Sequence, residues 1–139
     1  MIMKYVLMSG IPGNVEHAEV LSKEFGDGFS VMFLSKPLNI PYVVGLVDGA
    51  KTAAVIDDEL QITELFGRFL TKKGINVDVY NKGSDFLNSV QNDYKKYDIV
   101  LCDTDMPEDM FGPNVLRQYH KLVKEKEGVN HGSNIGSQA

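Results

Sequence analysis

Two acidic motifs in this 139-residue chain each follow an apolar run. Asp57-Asp58-Glu59 comes after Ala53-Ala54-Val55-Ile56, and Asp103-Thr104-Asp105-Met106-Pro107 comes after Ile99-Val100-Leu101-Cys102. Short apolar runs ending in polar residues read as buried strands, so both motifs stand at strand ends. Carboxylates gathered in one place repel one another unless a cation sits among them, and hard oxygen ligands suit a divalent metal ion. A metal cluster with a carboxylate to spare as a nucleophile is suited to phosphoryl transfer. Ser9, before Gly10, and Lys36, before Pro37, end two further apolar runs. A strand-terminal hydroxyl, an ammonium, an acid pair and an acid together point to a site.

The elements that must deliver these groups alternate along the chain. Residues 4–8 read as a strand, and Asn14 is placed to cap a helix carrying Val15, Ala18, Leu21, Ser22 and Phe25. A second strand over 30–35 leads to Lys36-Pro37, and Asn39-Ile40-Pro41 opens a helix through Val47. Residues 48–51 separate it from the strand that ends at Asp57. Then come a helix with Ile62, Leu65, Phe66, Phe69 and Leu70 on one face, and an edge strand in which Ile75, Val77 and Val79 alternate. Ser84 or Asp85 is placed to cap the next helix, with Phe86, Leu87 and Val90. After the strand into Asp103, a helix from about Pro113 turns Val115, Leu116, Tyr119, Leu122 and Val123 inward and Lys121, Lys124, Glu125 and Lys126 outward. From Gly128 the composition is that of a flexible linker. Five strands alternating with five helices predict a three-layer α/β domain on a parallel sheet, in which ligands bind beyond the carboxyl ends of the strands. All four polar signals fall at such ends.

Composition sets the bounds. With 43% hydrophobic and 24% charged residues the chain can bury a single core, and the net charge of -5 with no basic stripe argues against nucleic-acid binding. No apolar stretch is long enough to span a membrane and none is followed by a cleavage signature. The single cysteine, Cys102, reads as a small core residue within its strand, and a reducing, cytoplasmic setting is the expectation. His17, His120 and His131 are dispersed and read as surface residues.

Taken together, Asp-Asp-Glu after one strand, Asp-x-x-Met-Pro after another, Ser-Gly and Lys-Pro resemble the receiver domain of two-component response regulators, over nearly the whole chain. The resemblance implies a flavodoxin-like, doubly wound, five-stranded parallel sheet. It departs in order: the family places its acid pair first, whereas here Ser9 and Lys36 precede Asp57, Asp58 and Asp103. The chain therefore resembles a circularly permuted receiver over residues 1–127, with 1–50 equivalent to the usual C-terminal part, 51–127 to the N-terminal part, and 128–139 as a tail. Gly112 stands one residue farther from Asp103 than the common pattern, so that loop is expected to be remodelled. Residues 48–51 span at most about 14 Å at roughly 3.5 Å per residue. If that reach is too short, the halves must pair between chains, so both a monomer and a domain-swapped dimer are carried forward.

By the resemblance, Asp103 accepts a phosphoryl group from a sensor histidine kinase or a histidine phosphotransfer protein. Asp58, Asp103 and the backbone carbonyl of Asp105 hold Mg2+ or Mn2+, with Asp57 acting through water. Lys36 pairs with Asp103 at rest and with the phosphoryl group afterward, Ser9 donates its hydroxyl, and Phe33 is the aromatic that turns inward on phosphorylation. The implied protein is a signalling phosphoacceptor rather than an enzyme. Two alternatives stand beside it. A haloacid-dehalogenase-type phosphohydrolase would use Asp103 as nucleophile and Asp105 as general acid, and a pseudo-receiver would keep the fold as an interaction module without phosphorylation.

Overall fold

Strands β1 (Met3–Ser9), β2 (Phe29–Ser35), β3 (Thr52–Ile56), β4 (Asn76–Tyr80) and β5 (Ile99–Asp103) form one sheet in the order β2-β1-β5-β3-β4, every neighbouring pair parallel. This computed structural model describes residues 3–94 and 97–135, with side chains described through residue 127. Parallel strands need a crossover to return the chain to the same end, and helices supply it. They are α1 (Val15–Phe25), preceded by a 3-10 turn at Pro12–Asn14, then α2 (Ile40–Val47), α3 (Leu60–Lys72), α4 (Gly83–Ser89) and α5 (Gly112–Ile135).

Successive side chains on a strand point to opposite faces, and both faces of the central strands β1, β5 and β3 are covered, which is why these three are mostly apolar. Tyr5, Leu7, Ala54, Ile56, Val100 and Cys102 pack with α1, α4 and α5 on one side. Val6, Met8, Ala53, Val55, Ile99 and Leu101 pack with α2 and α3 on the other. Cys102 is fully buried, as its core reading requires, and burial pushes its thiol well above the ordinary range. The expected edge strand is β4, whose Val79 is exposed.

Several local expectations change. On α3 it is Thr63 that is buried, while Leu65 is 37% exposed. Thr63 makes this tolerable by donating its hydroxyl to Leu60 O and accepting from Asn81 Nδ2. Neither Ser84 nor Asp85 caps α4: Lys82 holds the cap position, and Asp109 from the loop after β5 accepts hydrogen bonds from Gly83 N and the Ser84 hydroxyl. Helical backbone continues to Ile135, past the point where composition predicts a linker, because a helix already nucleated extends at little cost per residue. Residues 136–139 of that expected tail lie outside the described residues.

The joint at residues 48–51 closes within one chain. Gly49 adopts φ 82°, a left-handed conformation that costs glycine nothing, and Ala50 N donates back to Val47 O. Asp98, just before β5, accepts from Lys51 N at 2.7 Å and Thr52 N at 3.2 Å, fixing the start of β3 against its neighbour. The reach from α2 to β3 is therefore sufficient without exchange between copies.

His120 is a correction. It is buried, stacked on Phe25 at 4.0 Å and edge-on to Phe29 at 4.4 Å, because it continues the inward stripe of Leu116 and Tyr119 on α5. Its Nδ1 has no hydrogen-bond partner among the described residues. His17 is half-buried against Phe111, and the side chain of His131 lies outside the described residues. Burial, then the charge of Lys124, lowers the basicity of His120, with Glu24 opposing. A folded-state pKa below the unfolded one means stability that is present above about pH 6.5 and is lost as acid charges the ring. His120→Phe should flatten the acid limb of a melting-temperature profile below about pH 6.5. Parallel profiles for parent and variant would contradict this.

Candidate functional site

The strand register brings the four polar strand ends level. Met8 stands opposite Asp103, Ile56 opposite Cys102, and Ser9 opposite Ser35. From the ends of β3 and β5 the chain departs to opposite faces, into α3 and α5, which opens a crevice between two adjacent strands. Asp57 and Asp58 line one side of it and Asp103 the other.

Lys36 crosses to them from the edge strand. Its backbone N donates to Ser9 O at 2.9 Å, its peptide bond to Pro37 is cis, and its Nζ lies 2.8 Å from Asp57 Oδ2, 3.1 Å from Glu59 Oε1 and 3.2 Å from Asp103 Oδ1. The Asp57 side chain is fully buried and that of Asp103 nearly so, whereas Glu59 is exposed. Asp57 is thus a closer partner of Lys36 than the Asp103 that the resemblance implies, and Glu59 is a third. Asp57 also accepts from Glu59 N at 2.9 Å, so it serves both the site and the entry to α3. Asn81 holds it from the far side, donating to Asp57 O at 2.9 Å.

The electrostatics follow from this crowding. Burial, then the charge of Asp57, pushes Asp103 up to about 7 even though Lys36 pulls it down. Burial likewise raises Asp57 against the pull of Lys36. Burial works against the charged form of Lys36, but its hydrogen bond to Asp57 and the charges of Asp57 and Asp103 outweigh that, holding the ammonium above its ordinary range. One lysine does not neutralise the acids around it. Ligand atoms of Asp57, Asp58 and Asp103 all lie within 4.8 Å of one another. An octahedral ion with oxygens at about 2.1 Å spans opposite ligands about 4.2 Å apart, so small side-chain adjustments suffice and the donor set fits Mg2+ or Mn2+.

Ser9 is buried, but its hydrogen bonds run away from the acids. Its Oγ accepts from Ile11 N at 2.9 Å and from Asn14 Nδ2 at 2.8 Å. Asn14 Nδ2 also donates to Asp105 Oδ2 at 2.9 Å. Asn14 thus stands at the start of α1 as expected, yet makes no side-chain cap there. The side chain of Asp105, exposed and held by Asn14, is not in the group that can close on a cation. Phe33 is half-buried on β2, facing a groove it shares with Val15, Ala18 and Ser22 of α1.

Gly112 closes the loop behind Asp103. Its N donates to Thr104 O at 2.8 Å, and a Cβ there would stand 2.0 Å from Asp103 O and 2.8 Å from Thr104 Cα. These are backbone atoms of Asp103 and Thr104, so they cannot yield without moving the Asp103 carboxylate. Gly112→Ala should cost about 3 kcal/mol in urea unfolding and reduce divalent-ion affinity, since overpacking against rigid backbone is at the costly end of its range. Unchanged stability would show that the loop has another way to close.

The model of the response regulator receiver domain family matches residues 53–127. That stretch begins in β3 and runs into α5, so it contains the three aspartates of the acid cluster. Ser9 and Lys36 lie before it, and geometry alone brings them to the site. No curated protein and no solved structure matches the chain.

Proposed function

This chain belongs to the response regulator receiver domain family, and from that membership we propose that Asp103 takes a phosphoryl group from the histidine of a sensor kinase or a histidine phosphotransfer protein. A carboxylate oxygen attacks phosphorus, the P–O bond forms as the P–N bond breaks, and the imidazole leaves with the electron pair. A bound Mg2+ or Mn2+ would neutralise charge on the transferring group. Asp58, Asp103 and the carbonyl of Asp105 would hold it, with Asp57 acting through water. Lys36 turns from Asp103 to the phosphoryl oxygens, and the Ser9 hydroxyl donates to another of them. The observation that supports this most is the meeting of Lys36 Nζ with Asp57 at 2.8 Å and Asp103 at 3.2 Å, groups drawn from distant parts of the chain.

The switch follows from the same residues. Drawing Ser9 toward the phosphoryl group moves residues 10–13, and Phe33 turns inward to fill the space left beside α1, which changes the surface offered to partners. We read residues 1–127 as one circularly permuted receiver domain, and of the two assemblies we propose the monomer, which closure of residues 48–51 within the chain permits. It acts as a cytoplasmic signalling domain, without nucleic acid or membrane as partners. Among the described residues no helix is long and apolar enough to cross a membrane.

Incubation with acetyl phosphate and Mg2+ should label each chain with one phosphoryl group, and a generic phosphomonoester should give no sustained release of phosphate. Many turnovers of the phosphomonoester would favour the phosphohydrolase. Mg2+ binding without labelling would favour the pseudo-receiver. Native mass spectrometry should give the single chain, and a predominant dimer would favour domain exchange.

A further inference from the structure

We propose that Asn14 is a positioning residue that clasps the site in its resting state, an inference that rests on the phosphoacceptor reading above. Asp105 is a carboxylate and can only accept, so the amide nitrogen of Asn14, not its oxygen, must face it. That nitrogen has two hydrogens, and both are used: one on Asp105 Oδ2 at 2.9 Å, the other on Ser9 Oγ at 2.8 Å. A single NH2 group therefore ties the end of β1 to the loop after β5, beside the crevice between β5 and β3.

The effect on Ser9 is specific. A hydroxyl oxygen has two acceptor positions, and those of Ser9 are filled by Ile11 N and Asn14 Nδ2. Both bonds hold the side chain toward the start of α1, and none of its hydrogen bonds reaches Lys36, Asp57 or Asp103. Both bonds leave the O–H of Ser9 free to donate, but where the switch described above draws its oxygen toward a phosphoryl group on Asp103, Ser9 leaves Asn14 or drags residues 10–13 and the Asp105 loop with it. The first loop has room to travel, since Gly10, Ile11, Pro12 and Gly13 are exposed and a Cβ at Gly13 would meet nothing within 4 Å. The bridge thus stabilises the resting conformation and opposes the one that binds the phosphoryl group. Removing it shifts the equilibrium toward the active state.

The test uses beryllofluoride with Mg2+, a mimic of the aspartyl phosphate, titrated into parent, Asn14→Ala, Asp105→Ala and the double variant. Asn14→Ala should bind the mimic about three- to tenfold more tightly, the worth of one or two net hydrogen bonds lost from the resting state. Because one nitrogen makes both bonds, the double variant should gain little over Asn14→Ala alone, a non-additivity that general loosening of the fold does not produce. Hydrogen exchange at Ile11 N should quicken in Asn14→Ala without the mimic. Unchanged or weaker binding by Asn14→Ala, or additive effects of the two substitutions, overturns the clasp while leaving the phosphoacceptor reading intact. Failure of the parent to bind the mimic with Mg2+ overturns that reading, and the clasp with it.

Discussion

Asp103→Asn should melt at a higher temperature than the parent at about pH 8 without divalent metal, with the difference closing toward about pH 4. The carboxyl of Asp103 is pushed up to about 7 by burial and by Asp57. An acid raised in the folded state favours folding only while protonated. Its contribution is fully present below the unfolded value near 3.9 and is lost as pH rises through about 7. Asparagine keeps the shape and an acceptor for Lys36 but never ionises, so it escapes that loss. At about 1.4 kcal/mol per pKa unit, the variant should gain about 2–4 kcal/mol over the parent at high pH. Saturating Mg2+ should reverse the order, stabilising the parent far more than the variant, because the ion replaces the missing positive charge only where the acid cluster is complete. Scanning calorimetry at several pH values, with and without Mg2+, reads both effects. A variant less stable than the parent throughout would show that Lys36 alone satisfies the acids.

Lys36→Ala should have the opposite sign. It strips the fully buried Asp57 and the nearly buried Asp103 of their only cation among the described residues, with contacts of 2.8 Å and 3.2 Å lost at once. Removing one partner from a buried ion pair leaves an uncompensated charge, which costs about 3–5 kcal/mol. The loss should shrink in acid, where Asp57 and Asp103 take up protons, and in saturating Mg2+. Phosphoryl uptake should fall by about 10²-fold even with Mg2+ present, the usual cost of deleting one donor aimed at developing charge. Lys36→Arg should not restore it, since a planar fork does not fit a position built for a point charge held by three acids. Urea unfolding measures the first effect and the rate of labelling by acetyl phosphate the second. Uptake at the parental rate would remove Lys36 from the chemistry.

What could be read from the residues was whatever the strand ends dictate. Apolar runs buried on both faces announce themselves, and each stops at its polar residue, so Ser9, Lys36, Asp57 and Asp103 were all legible before any geometry. The sheet then had to bring them level. Less legible were contacts made by short polar side chains across loops. Asn14 before a helix reads as a local cap, and its bridge from Ser9 to Asp105 depends on a residue far away in sequence. Asp109 caps α4 for the same non-local reason. His120 could have been found: it lies four residues after Leu116 on the same helical stripe, a spacing that outweighs its polarity. The Glu59 contact with Lys36 had a signal too, in the third acid of Asp-Asp-Glu, masked by its place at the entry to α3.

The central claim is tested most directly by locating the phosphoryl group after incubation with acetyl phosphate and Mg2+. Peptide mass mapping of the labelled chain should place a single phosphoryl group on the peptide containing Asp103, and Asp103→Asn should carry none under the same conditions. Equal labelling of the variant, or a group mapped to any other residue, would contradict the account.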